Sequence, residues 1–334
     1  MKYLLFFCLL ILSLSCKNKE TSTSLIQNSG EALGTTYSIQ YDGDQDYHEA
    51  LIKVFDLVNQ SMSTYLPSSD ISKINVGDST VIIDKHFETV YLLSKNIWTE
   101  TNGYFDPTVG PLVNAYGFGP QGKLRGIDST QVDSIKEFVG FEKLLLTKDN
   151  IIKKQDPRTF IDFNAIAKGY TIDLLGKTLD SNNIQNYLIE LGGELLAKGD
   201  NKNTGNDWIV GIDDPTQTEE RRLIKKIKLK NAAMATSGNY RKTRIDPETG
   251  THYVHSINPK SGWPKKSNVL SVSVLAKTCA EADAYATAFM VMELEETHFF
   301  LEEHTTIDAY VIYVDEEGNL QEWLTEGFQK IVLE

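Results

Sequence analysis

The chain has 334 residues, with 33 Lys and Arg against 46 Asp and Glu and a formal net charge of −13. Charged residues make up 24%, aromatics 10% and the wider hydrophobic set 41%, which excludes a disordered chain, a collagen and a coiled coil. An acidic chain repels phosphate, so nucleic acid is disfavoured as the main partner, and an anionic ligand would need local positive charge to hold it.

In chain order, Lys2 precedes an apolar run over 3–14 that is broken only by Ser13. The run falls short of the roughly 20 residues that a spanning helix needs, and it fits a secretory signal. Ser15-Cys16 ends it. A Cys after an apolar run, followed by a polar stretch, resembles a bacterial lipoprotein cleavage site, although Ser13 stands where Leu is usual. Residues 1–15 are therefore read as a signal, Cys16 as the lipidated residue, 16–30 as a flexible tether and 31–334 as the catalytic body. An ordinary signal cut near Ser15 is the plainer alternative. Cys8 leaves with the signal and Cys16 takes lipid, so Cys279 has no partner for an intramolecular disulfide. The expected location is outside the cytoplasm, anchored to a membrane and facing the periplasm.

Alternation predicts a strand over 35–41, and Ala50, Leu51, Val54, Phe55 and Val58 follow helical spacing. A short strand is expected at 81–83. A helix carrying Phe87, Val90, Tyr91, Ile97 and Trp98 should stop at Gly103. Strands are read at 144–146, 187–189, 208–212, 223–229, 269–276 and 309–314. Helices are read at 167–179, at 279–292 and near Thr297. Arg221-Arg222 with Lys225-Lys226, the densest basic cluster, reads as a solvated strand edge. At about 150 residues per domain the length allows one large domain or two. Helices and strands mix without regular alternation and no linker divides the chain, so the fold class is α+β, as a single compact unit with room for two lobes.

Common enzyme motifs are absent: no P-loop, GxGxxG, GxSxG or HExxH, and no His at metal-ligand spacing. Four other segments could carry chemistry. Thr278 and Glu281 have capping-box spacing, so Asp283 and Thr287 share a helix face, where a carboxylate and a hydroxyl could hold a hard cation such as Mg2+. The plainer reading is an Ala-rich packing helix. Residues 161–170 pass from strand to helix, a junction whose free amides and Lys168 suit phosphate or simply make a structural turn. Residues 102–112 mix aromatics, Pro and Gly around Asp106, and could clamp a flat ring or form an ordinary turn. The hydroxyl/Gly turn at 235–241 is followed by His255 in a Pro- and Gly-bounded loop, a base candidate near neutral pH, although a lone His is more often structural.

Read together, these segments resemble the ApbE family of FAD:protein FMN transferases. The matching pieces are Leu33-Gly34-Thr35-Thr36-Tyr37, Ser63-Thr64-Tyr65, 105–112, 162–170, Leu191-Gly192-Gly193-Glu194, Thr236-Ser237-Gly238, His255-Ser256-Ile257-Asn258-Pro259 and 283–287. Each alone is weak, but the collinear set is specific and covers nearly all of the chain after residue 30. The resemblance implies a T-fold-like architecture. It implies Mg2+-dependent cleavage of FAD, transfer of FMN to a Ser or Thr hydroxyl of an acceptor protein, and release of AMP. It places the metal on Asp283, Thr287 and the Ala165 carbonyl, and flavin contacts on Leu33, Thr64, Tyr65, Leu66, Asp106, Lys168, His255 and Ile257. His255 is the expected base, with Asp283 as a rival. The acceptor is expected to be another exported or membrane redox protein. Two alternatives are an FAD pyrophosphatase that uses water as acceptor, and a flavin-binding lipoprotein without chemistry. Tyr65 favours transfer over hydrolysis, and the paired Asp283 and Thr287 argue against a mere binder.

Overall fold

The computed structural model describes residues 25–119, 124, 126–217, 222–239, 243–245, 252–265 and 268–333. The signal, Cys16, Arg221, Tyr240 and Arg241 lie outside the described residues. In chain order the strands are β1 (Ile26–Ala32), β2 (Thr35–Tyr41), β3 (Leu144–Leu146), β4 (Ile152–Lys154), β5 (Tyr187–Leu191), β6 (Glu194–Lys198), β7 (Trp208–Asp213), β8 (Leu223–Leu229), β9 (Ala232–Gly238), β10 (Thr243–Ile245), β11 (His252–Val254), β12 (Val269–Ala276), β13 (Asp308–Val314) and β14 (Leu320–Leu324). The helices are α1 (His48–Met62), α2 (Asp70–Asn75), α3 (Lys85–Glu100), α4 (Gly110–Ala115), α5 (Ser129–Lys136), α6 (Ala167–Ser181), α7 (Cys279–Phe289), α8 (Leu294–Glu303) and α9 (Glu326–Gln329).

Eight strands form one antiparallel sheet in the order β1-β2-β5-β6-β9-β12-β13-β14. Successive side chains in a strand point to opposite faces, and both faces of this sheet are covered. On one face Tyr37, Ile39 and Tyr41 of β2 meet Leu51, Val54 and Phe55 of α1 and Ile172, Leu175 and Leu179 of α6. Val272 and Val274 of β12 and Val311 of β13 share a cluster with α3 and the alanines of α7 on that side. On the other face Met234, Tyr310 and Ile312 pack with Trp208, Val210, Ile227 and Phe328, from the β7–β8 hairpin and α9. Burial on both faces is why β13 reads as a nearly continuous apolar run, and each such fully buried side chain contributes about 1.5–3 kcal/mol. A smaller cluster joins Leu112, Ala115 and Tyr116 around α4 to Val132 of α5 and Ile257.

The architecture is α+β, as expected from the sequence. Residues 81–83 form no strand; the Ile83 amide donates to the Asn150 carbonyl instead (2.9 Å). The tether reading fails over 26–30, because those polar residues form the edge strand β1, in register with β2. The turn expected at 235–241 is strand β9 as far as Gly238. Its Ala-rich sequence has little strand propensity of its own, and it is a strand because β6 and β12 pair with it on both sides. Among the described residues no helix is long and apolar enough to cross a membrane.

Candidate active site at the crossing of two helices

The helices α6 and α7 touch at Gly169. A Cβ there would lie 2.2 Å from the Cys279 carbonyl oxygen, so only glycine lets the backbones meet this closely. Each helix then caps the other. Asp173 of α6 accepts from the Cys279 and Ala280 amides (2.8 and 3.0 Å), and Asp283 of α7 accepts from the Gly169 amide (3.2 Å). These are first-turn donors with no partner inside their own helix. The capping box is present as well: Glu281 N donates to Thr278 Oγ1 (3.2 Å) and Thr278 N to Glu281 Oε2 (3.0 Å). Burial pushes the Asp173 carboxyl up to about 6, although the two amides oppose the shift.

A charged cluster sits at this crossing. The Lys168 ammonium lies 3.0 Å from Glu194 Oε1 and 3.4 Å from Asp283 Oδ2. Glu194 is 4% exposed and Asp283 is 2% exposed. Glu194 opens β6 directly after Gly192-Gly193, a two-residue turn with positive φ at both positions, which tight hairpins favour. Burial alone would lower the Lys168 pKa, but the two carboxylates outweigh it and hold the ammonium above its ordinary value. Burial raises the Glu194 carboxyl, with Lys168 opposing and the charge on Asp283 adding. Glu194 Oε2 is buried and has no hydrogen-bond partner. With both carboxylates ionised, the cluster carries one negative charge more than positive.

Four further segments carry the remaining expected site residues. Pro107 O accepts from Asp162 N (2.7 Å), which ties the 105–112 segment to the strand–helix junction. The Asn75 side chain holds that junction from α2, accepting from Ile161 N (2.7 Å) and donating to Ile161 O (2.8 Å). Tyr65 is 63% exposed, and Thr64 Oγ1 beside it is buried without a partner. Leu33 has φ +51 at the β1–β2 turn, an unusual conformation for a side chain of this size, and packs against both clusters on the helical face. The loop carrying His255 and Ile257 reaches the turn that follows α7 through Asn258, whose side chain donates to Val291 O (3.4 Å). His255 meets the Phe118 ring edge-on, with centroids 6.4 Å apart.

The ApbE family model matches residues 33–311. The chain belongs to the ApbE family. The FAD:protein FMN transferase of Haemophilus influenzae is 34% identical over 321 residues, covering 92% of this chain and 91% of that protein. The protein of the same name from Vibrio cholerae is 32% identical over 319 residues, covering 93% of each. The structure described as flavin transferase ApbE from Vibrio cholerae superposes with a TM-score of 0.82 at 31% identity, covering 92% of this chain and 99% of that one.

Against the ApbE expectations, the structure brings Lys168 and Asp283 together. It places Thr287 one turn further along α7 and Ala165 in the turn just before α6. Among the described residues no three His, Cys, Asp or Glu side chains converge as a metal cage. A cation here would therefore rest on one carboxylate, a hydroxyl and a backbone carbonyl, all hard oxygen donors of the kind Mg2+ accepts alongside substrate oxygens. Both bonds to Asp283 fall on Oδ2, which leaves Oδ1 for another partner. This donor set fits a divalent cation.

Two expectations change. The junction does not present free amides throughout: Ile166 N and Ala167 N donate to Phe163 O (3.0 and 2.8 Å), and Gly169 N is held by Asp283. Asp106 is bound inward, because its carboxylate accepts from Trp98 Nε1 (3.1 Å), Thr108 N (2.7 Å), Thr108 Oγ1 (2.6 Å) and Phe141 N (3.2 Å). That is the ordinary-turn reading. Sequence reasoning passed over Glu194 as a site residue. The Gly-Gly before it was the available signal, since a tight hairpin pins the next side chain to a defined face.

Proposed function

We propose that this chain is an FAD:protein FMN transferase that releases AMP and depends on Mg2+. The observation that carries the reading is the buried Lys168–Asp283–Glu194 cluster at the α6–α7 crossing, within a chain of the ApbE family. Asp283, Thr287 and the Ala165 carbonyl would hold the cation. When bound, it supplies positive charge to the pyrophosphate oxygens as the leaving group departs. Lys168 adds a second positive charge beside them. Tyr65 and Leu66, which line a surface depression with Asp56, Asn59, Gln60 and Ser63, border the flavin together with Leu33, Thr64 and Ile257. The acceptor hydroxyl oxygen bonds to the FMN phosphorus as the bond to the AMP phosphate breaks. His255 takes the hydroxyl proton.

The decisive experiment incubates the protein with FAD, Mg2+ and an acceptor fragment carrying a Ser/Thr flavinylation motif, and reads the products by mass spectrometry. FMN mass on the acceptor is the expected result. Free FMN and AMP alone would mean a pyrophosphatase, and unchanged FAD a binder. His255→Ala should keep FAD binding and lose transfer; full transfer would remove it as the base.

We also infer an exported lipoprotein, lipidated at Cys16 and facing the periplasm, which would place it beside an exported or membrane redox acceptor. The apolar run before Cys16 supports this. Cys16→Ser should move the protein from the membrane fraction to the soluble one.

A further inference from the structure

Lys168 is the residue on which the proposed function makes two conflicting demands. It has to lie near the phosphates, yet its ammonium sits 3.4 Å from the carboxylate that would hold the cation. An ammonium and a divalent cation on the same carboxylate repel one another even on different oxygens, so a cation arriving at Asp283 Oδ1 loosens the hold of Oδ2 on Lys168. A released ammonium in a buried site needs another anion, or it loses its solvation without compensation. Glu194 is placed to be that anion. It already holds Lys168 through Oε1 at 3.0 Å. Its second oxygen is buried and has no partner, although a buried carboxylate oxygen is ordinarily paired. Lys168 keeps 27% of its side chain exposed, so it has room to shift.

We propose that Glu194 is a positioning residue: it retains Lys168 in the cleft when a cation displaces the ammonium from Asp283. Lys168 then shares Asp283 in the empty protein and moves fully onto Glu194 in the loaded one, and Oε2 completes a two-oxygen grip. Glu194 touches neither the cation nor the reacting atoms; it acts through Lys168. This inference rests on the reading of Asp283 as a cation ligand.

The test measures Mg2+ and Mn2+ affinity by titration calorimetry on the full chain without FAD, in a double-mutant cycle. Lys168→Met removes the competing ammonium and should tighten cation binding several-fold. Glu194→Gln keeps the shape but removes the retreat, and should weaken binding about tenfold. In the Lys168→Met background the same Glu194→Gln change should shift the affinity less than about threefold, because there is no ammonium left to hold. Glu194→Asp, which keeps the charge, should recover most of the wild-type affinity, and it also serves if Glu194→Gln does not fold. An equal loss from Glu194→Gln in both backgrounds would overturn the proposal and make Glu194 a direct electrostatic partner of the cation. If wild type and Asp283→Asn both fail to bind either ion, the cation reading itself is wrong. If wild type binds and Asp283→Asn does not, that reading stands and the cycle alone decides the role of Glu194.

Discussion

Asp283 and Asp106 are both buried carboxylates, and their partners differ. Asp283 accepts from one amide and one ammonium on a single oxygen, whereas Asp106 accepts from four donors on both. Asp283→Asn can keep the bond from Gly169 N while losing the charge. We expect transfer to fall at least about 100-fold with the protein still folded, measured as FMN gained by the acceptor alongside the melting curve. Asp106→Asn leaves two buried donors facing an NH2 group, and should lower stability by about 2–4 kcal/mol at pH 7 in urea unfolding. Burial holds Asp106 up at about 6, against the bonds from Thr108 and Phe141. The folded state therefore keeps a proton that the unfolded chain has released, and stability falls as the pH rises from about 4 to about 6. Asp106→Asn should remove about one proton from that slope. Asp173 titrates in the same window with the same sign, so the slope should shrink rather than vanish.

At the scale of elements, the site depends on how closely α6 and α7 approach. Gly169→Ala would push a methyl into the Cys279 carbonyl, break the reciprocal caps and part Lys168 from Asp283. Overpacking of this kind costs about 1–3 kcal/mol, and the lost caps add to it. The expected result is a melting point lowered by several degrees and a larger loss in kcat than in KM for FAD. An unchanged kcat would mean that the crossing does not position the site. The α7 start was legible in the sequence because a capping box is a local pattern: Thr278 and Glu281 bond within one turn. The register of Asp283 and Thr287 follows from that start alone. The partner of Asp283 was not legible, because Gly169 lies on another helix and no local pattern links them. Strand β9 was missed for the same reason, since its neighbours and not its own side chains make it a strand.

At the scale of the whole molecule, the net charge of −13 should slow and weaken the approach of an anionic dinucleotide. That field reaches about 30 Å at 0.01 M salt and about 10 Å at 0.1 M, whereas the buried cluster is screened far less. The apparent KM for FAD should therefore fall about two- to threefold as NaCl is raised from about 10 to 100 mM, with kcat unchanged. A KM that rises with salt would mean that a local positive field dominates the encounter.

By itself the sequence determined the fold class, the start of α7 and the collinear motifs that mark the family. All of these are carried by spacing along the chain, through helix and strand periods and the caps of single turns. Only the tertiary structure decided that Lys168, Asp283 and Glu194 form one buried cluster, that Asp106 is bound inward and that β1 extends the sheet. Each of these depends on which backbone donor or neighbouring strand lies across a contact between residues far apart in sequence. A carboxylate's chemistry is set by those partners, and the chain's own order does not reveal them.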